Sequence, residues 1–208
     1  TGTGYDPAGE FRTSAGRVNP AAHPDLLQAL RVGVLCNNAR LAVKDGKTAV
    51  FGDPTEIAIL SAAAKAGIWK GEEEDDYEML EELPFDSERK KMSIVRRADQ
   101  DIIAFTKGAP DLLLRDCSYI LEDGRERPLT DGDRDRIMKA NDGYSDQALR
   151  VLAVAFRHLE QEPHSYAAEA IEQDLTFTGL VAMIDPPRPE VRDAMAKCRQ
   201  SGIRTVMI

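Results

Sequence analysis

The sequence predicts an α+β fold: a mainly antiparallel, twisted sheet flanked by helices, closing on a short α/β segment. Three observations carry this. Strand-like pieces follow one another between turn residues, from Tyr77 to Leu83, Met92 to Arg96 and Ile102 to Thr106. Segments with helical spacing of apolar residues stand before and after them. Near the end, Asp185-Pro186-Pro187-Arg188-Pro189 can continue neither strand nor helix, because adjacent prolines fix φ and remove donors. Beyond that knot a helix and an apolar strand follow, a unit of the open parallel type. The knot is read as a boundary between residues 1–184 and residues 185–208.

In chain order, Tyr5 to Phe11 reads as a short strand and turn, followed by a polar stretch to Pro24. Leu26, Leu27, Leu30, Val34 and Leu35 recur at helical spacing, with Asp25 placed as the N-cap. Gly46 turns the chain between Leu41-Ala42-Val43 and Ala49-Val50-Phe51. Pro54 suits the first turn of a helix through Ile57, Ile59, Leu60 and Ala64, which Gly67 ends. The acidic run Glu72 to Asp76 reads as a solvated loop. Asp111 to Arg115 forms a short helix, and Asp123-Gly124 is a hairpin turn between Ile120-Leu121 and Arg127-Pro128-Leu129. Thr130 caps a longer helix. Arg150 to Phe156 and Leu175 to Ile184 are buried strands, Glu190 to Gln200 is an amphipathic helix, and Ile203 to Ile208 is a last strand.

Composition narrows the function classes. Of 208 residues, 42% are hydrophobic, enough for a sizeable core. The net charge of −9 argues against a nucleic-acid partner, whose binding rests on neutralising phosphates, so an anionic ligand needs cations gathered locally. No apolar run reaches the ~18 residues of a membrane span, and the first residues lack the pattern of a signal peptide. Any membrane role therefore belongs to other parts of a larger protein, and no direct membrane contact is expected. Cys36, Cys117 and Cys198 are scattered and odd in number, as reduced thiols are. Neither they nor His23, His158 and His164 have metal-ligand spacing.

Three constellations could carry chemistry. Gly52-Asp53-Pro54-Thr55-Glu56 opens a helix with two carboxylates, and is equally a capping box. Pro84 to Ser93 sets Arg89, Lys90 and Lys91 beside Phe85, a pattern that could cradle phosphate while the ring stacks on a base, or be a solvated turn. Thr106-Lys107-Gly108-Ala109-Pro110 puts a lysine at a strand end, with a glycine that would admit a ligand close to the backbone. No Walker P-loop is present in the sequence.

Taken in order, these three motifs, then Leu149-Arg150-Val151-Leu152-Ala153, then Asp185-Pro186-Pro187-Arg188, resemble the nucleotide-binding domain of type II P-type ATPases. These are the calcium pumps and their sodium–potassium and proton–potassium relatives. Leu35-Cys36-Asn37-Asn38-Ala39 and the tail from Gly202 are similar to that family as well, so the likeness runs nearly the length of the chain.

The resemblance implies that Phe85 stacks on the adenine of ATP and that Glu56 contacts the adenine side. It implies Lys107 at the deep end of the pocket beside Gly108, Lys90 reaching toward the phosphates, and Arg150 on the phosphates or bridging to the phosphorylation domain. Asp53, Thr55, Ser87, Arg89, Met92, Ala109 and Leu152 follow as less certain neighbours, with Asp185, Pro186, Pro187 and Arg188 as a hinge. Ser87 stands where the muscle-type calcium pump has an arginine, so a phosphate contact is either lost or supplied by Arg89 or Lys91. The family's phosphorylated aspartate, in Asp-Lys-Thr-Gly-Thr, has no counterpart here, and its magnesium-binding aspartates are expected beyond the chain. By this resemblance the chain is the ATP seat of a cytoplasmic domain of an integral membrane pump. Its partners would be the phosphorylation, actuator and transmembrane domains of the same polypeptide, and Mg2+ would be held elsewhere. Residues 185–208 would be the hinge and the beginning of the phosphorylation domain, and the fragment alone would be inactive. The motif wording favours calcium as the cargo. Two other readings are a stand-alone ATP sensor and a haloacid-dehalogenase-type phosphohydrolase; the second would need Asp131-Gly132-Asp133 as a nucleophile motif, although it starts a helix.

Overall fold

The computed structural model describes residues 1–2, 4–44, 46–184 and 189–206. Its frame is a seven-stranded sheet built from β5 (Glu78–Asp86), β6 (Lys91–Ala98), β7 (Asp101–Gly108), β8 (Cys117–Glu122), β9 (Arg125–Pro128), β10 (Arg150–Leu159) and β11 (Leu175–Met183). The spatial order is β5-β6-β7-β10-β11-β8-β9, and every pairing is antiparallel except that of β11 with β8. The predicted α+β class with a mainly antiparallel sheet holds. Each edge is defended against further pairing: β5 carries Pro84, and β9 is Arg-Glu-Arg-Pro.

Alternation along the central strands sorts their side chains between two layers. On one face Met92, Ile94, Ile103, Phe105, Val154 and Phe156 pack against Val32, Leu35 and Cys36, at the end of helix α1 (Pro24–Leu35). On the other, Ala153, Ala155, Leu175 and Phe177 meet Leu113 of α4 (Pro110–Leu113), Leu114 of the following 3-10 turn, and Ile137 of α5 (Asp131–Ser145). Leu83, Val95, Ile102 and Ala104 extend that layer to Ile171 of α6 (Ala168–Ile171). Each such aliphatic side chain contributes roughly 1.5–3 kcal/mol when fully buried.

A second layer lies behind α1. Helix α2 (Pro54–Lys65) packs on it through Ile57, Leu60 and Ala63 against Leu30 and Val34. The two helices approach closely because residue 33 is glycine: a Cβ there would sit 2.6 Å from Ile59 Cγ2. The hairpin of β3 (Arg40–Lys44) and β4 (Lys47–Phe51) links the helices, and β1 (Phe11–Thr13) with β2 (Gly16–Val18) forms another.

Four local expectations change. The opening strand falls later, at β1, which starts at Phe11 and runs into the stretch read as merely polar. Asp25 does not cap α1; His23 holds the cap position without a side-chain bond. The Asp25 carboxylate instead accepts from Asp123 N and Gly124 N, both at 2.7 Å, pinning the β8–β9 turn to α1. The acidic run is helix α3 (Lys70–Asp76), supported by cations from other elements that pair with two of its five carboxylates. Glu73 accepts from Arg31 Nε at 2.7 Å, and Glu74 accepts from buried Arg96 at 3.0 Å. After α7 (Pro189–Gln200), residues 203–206 form no strand, and Ile203 and Val206 are exposed, having no neighbouring strand to pair with among the described residues.

Candidate functional site

The C-terminus of α1 collects cations. Its last carbonyls lack intrahelical partners, and the helix dipole leaves them negative. Arg96 Nε donates to Leu35 O at 2.9 Å, Lys107 Nζ to Cys36 O at 2.7 Å, and Lys70 Nζ to Asn37 O at 2.6 Å. Lys107 comes from the end of β7 and is 6% exposed. Its ammonium also donates to Glu56 Oε1 at 2.5 Å, forming a nearly dry ion pair.

Asp53 is the N-cap of α2, as the sequence suggests, and its Oδ1 accepts from Thr55 N at 2.8 Å. Burial raises the affinity of Asp53 for its proton. The side-chain and backbone bonds from Thr55, the backbone bond from Glu56 and the charge of Arg150 outweigh this and hold the carboxyl below its ordinary value. Glu56 does not complete a capping box. Its second oxygen accepts from Asn38 N at 3.2 Å, so the carboxylate faces the α1–β3 loop and Lys107. Asn37, fully buried, donates to Gly33 O and Glu56 O and accepts from Ala39 N, fixing the loop that presents Asn38. Asn38 in turn donates to Glu82 Oε1 of β5 at 2.6 Å. Asn38 and Glu82 were not singled out from the sequence. The motif Leu35 to Ala39 was the available signal, but it assigns no role to a single residue.

Strand register places the remaining residues. Met92 pairs with Lys107, and Phe85 lies in the irregular stretch of β5 between the Leu83–Ser93 and Asp86–Lys91 pairs. Phe85 therefore stands two strand spacings from Lys107, on the order of 10 Å. The residue is 65% exposed, leaving its ring open to a partner. Met92 itself is core, packed under Cys36. Asp86 accepts from Glu88 N and Arg89 N, both at 2.9 Å, and these bonds hold its carboxyl below the usual range. The turn then reaches Lys90, whose φ of 52° is left-handed and whose carbonyl accepts from Ala109 N at 2.9 Å.

Gly108 is needed for packing: a Cβ there would lie 2.5 Å from Lys91 Cβ and 2.7 Å from Lys90 O, so the glycine admits the neighbouring strand and turn. Arg89 and Lys91 are both committed. Arg89 Nη1 donates to Glu172 Oε1 at 2.5 Å, and buried Lys91 pairs with Asp116. Lys90 and Ser87 remain exposed.

Arg150, at the start of β10 and exposed, donates to Thr55 Oγ1 at 2.6 Å. Ala153 of the same strand pairs with Gly108, so Arg150 sits at the same end of the sheet as the β5–β6 turn. Beside it a cleft of about 580 Å³ is lined by Tyr5, Asp53, Thr55, Arg150, Met183 and Ile184, among others. Ala109 and Leu152 are half-buried nearby in sequence and register. Asp185, Pro186, Pro187 and Arg188 lie outside the described residues. Asp133 caps α5 in a reciprocal box with Thr130 and is bound by Arg127 Nη1 at 2.6 Å, an arrangement that suits a helix cap and not a nucleophile.

Burial drives the thiol of Cys36 up to about 11, against the pull of Lys107, and that of Cys117 up to about 12. Neither is a nucleophile at neutral pH. Among the described residues no group of three or more His, Cys, Asp or Glu gathers to hold a metal. No described helix is long and apolar enough to cross a membrane.

Comparison with known proteins follows the same line. The family model described as P-type ATPase, cytoplasmic domain N, matches residues 25–190. A calcium-transporting ATPase of Bacillus subtilis is 42% identical over 208 residues, all of this chain and 23% of that protein. Another, from Bacillus cereus, is 43% identical over 84% of this chain and 19% of its own length. A cation-transporting ATPase of Synechocystis is 36% identical over the whole chain and 23% of its own length. The chain thus spans between 19% and 23% of these relatives.

Proposed function

The chain belongs to the P-type ATPase cytoplasmic domain N family, and on that premise we propose that it seats ATP for a cation pump. One observation carries the reading. One end of the sheet carries an exposed aromatic, Phe85, on β5, a nearly dry carboxylate–ammonium pair, Glu56 and Lys107, two strands over, and two exposed cations, Lys90 and Arg150. On a surface whose net charge is −9, that is the combination an adenine nucleotide needs.

In this reading the base lies on the Phe85 ring, with the deep side of the seat formed by Lys107 and Glu56. A carboxylate oxygen of Glu56 accepts from the amino group of adenine, where guanine has a carbonyl. The phosphates run toward Lys90 and Arg150; Arg89 and Lys91 are held by Glu172 and Asp116, so the absence of an arginine at Ser87 is not made good by them. In the larger protein, residues 1–184 act as the nucleotide domain and residues 185–208 as the hinge and first part of the phosphorylation domain. Closure of that hinge brings the γ-phosphate to an aspartate outside this chain, whose carboxylate takes the γ-phosphoryl group as the bond to the bridging oxygen breaks, giving an aspartyl-phosphate and ADP. The names of the relatives favour calcium as cargo. The chain alone, lacking an Asp-Lys-Thr-Gly-Thr acceptor, binds ATP and does not hydrolyse it.

Calorimetric titration of the chain with ATP tests the seat. Base–aromatic stacking of ~1–3 kcal/mol corresponds to an affinity loss of about 5- to 150-fold in Phe85→Ala. If Phe85→Ala and Lys107→Ala both keep the affinity of the parent chain, the seat lies elsewhere.

A further inference from the structure

Under the face of the sheet opposite α1 lies a polar cluster that the nucleotide seat does not use directly. Ser93 and Thr106, paired across β6 and β7 and both fully buried, place their hydroxyls 2.9 Å apart. Ser93 Oγ donates to Glu172 Oε1 at 2.8 Å. Glu172 follows α6 directly, and its side chain is 3% exposed. Arg89 Nη1 donates to the same oxygen at 2.5 Å, and Lys91 Nζ stands 3.9 Å from the other. Lys91 also pairs with Asp116.

A buried carboxylate surrounded by cations is a poor way to gain stability, since desolvation offsets most of the attraction. Its value lies in geometry. Arg89 reaches from Glu172 to Pro84 O at 2.8 Å, the carbonyl immediately before Phe85. Arg89 and Lys91 also flank Lys90, whose left-handed backbone and Ala109-bound carbonyl shape the turn. One carboxylate, 83 residues from Arg89 in sequence, thereby holds both ends of the segment that carries Phe85 and Lys90.

We propose that Glu172 is a positioning residue for the nucleotide seat, acting through Arg89 on the backbone that presents Phe85. The inference rests on the proposed ATP seat and adds to it a residue that touches no nucleotide. Glu172→Gln keeps the shape and the Ser93 bond while removing the charge that holds Arg89. The test is calorimetric ATP titration of the parent chain, Glu172→Gln, Phe85→Ala and the double variant, with thermal melts beside them. Glu172→Gln is expected to weaken ATP by about 3- to 10-fold in a chain that remains folded at the titration temperature. In the Phe85→Ala background it should weaken ATP by no more than about 2-fold, because the ring it positions is gone. A purely structural role would lower the melting temperature without this coupling.

The inference alone is overturned if Phe85→Ala weakens ATP while Glu172→Gln does not, or if Glu172→Gln costs the same with and without the ring. If Phe85→Ala leaves ATP binding unchanged, or the parent chain binds none, the seat and the inference fall together. Should Glu172→Gln not fold, Arg89→Lys, whose single ammonium cannot bridge Glu172 and Pro84 O together, is read by the same criteria.

Discussion

Replacing Lys107 by methionine should destabilise the chain by about 3 kcal/mol, and the structure shows where that number comes from. The ammonium is the sole side-chain donor to Glu56 Oε1 and to Cys36 O among the described contacts. Methionine keeps the length and fills the space but leaves the Glu56 carboxylate, 13% exposed, with one bond from Asn38 N at 3.2 Å. Breaking a buried pair by removing one partner costs about 3–5 kcal/mol, and an orphaned acceptor adds about 1–3 kcal/mol. The remaining bond and the partial reach of water bring the sum toward the lower figure. For a chain of this size that is a fall of roughly 6–12 °C in melting temperature. Urea unfolding followed by circular dichroism, with calorimetry, measures both. Adding Glu56→Gln should recover about 1–2 kcal/mol, since the unpaired buried charge is then gone. A Lys107→Met chain within about 0.5 kcal/mol of the parent, or a double variant equal to the sum of the singles, would refute the reasoning.

Gly108→Ala should cost about 1–3 kcal/mol, because its Cβ meets Lys91 Cβ and Lys90 O, which are strand and turn atoms with little freedom to move; an unchanged urea midpoint would contradict this. Asp133 is held well below the usual carboxylate range, first by the Arg127 side chain and then by Thr130. Its contribution is therefore whole above the unfolded value of about 4 and is lost as pH falls through the folded one. The melting-temperature gap between the parent and Asp133→Asn should be wide at about pH 6 and close toward about pH 2; a gap that stays constant sinks the assignment. A thiol reagent at about pH 8 should label Cys198 quickly in the native chain and the buried Cys36 and Cys117 only on unfolding, and equal rates for all three would be wrong for this packing.

Much of this protein is written locally. Alternation in Met92 to Arg96 and Ile102 to Thr106, helical spacing from Leu26 to Leu35, Pro54 at a helix start and Asp123-Gly124 in a hairpin each act within a few residues, and each appears as read. The order of the motifs was sufficient to indicate the family and to nominate Glu56, Phe85, Lys90, Lys107 and Arg150. What a local pattern cannot state is which partner a charge finds. The acidic run folds as α3, where Arg31 and Arg96 come to it from α1 and β6. Arg89-Lys90-Lys91 is three like cations in sequence, yet two are neutralised by carboxylates 83 and 25 residues away, leaving Lys90 exposed. That Gly108 must also admit Lys91 follows only from the register of β6 and β7. Most of the elements, the family and the candidate residues were legible because they rest on short-range periodicity and motif order. The exposure of Lys90 and the burial of Lys107 and Lys91 were not, because strand register and buried charge pairing join residues whose separation along the chain carries no signal.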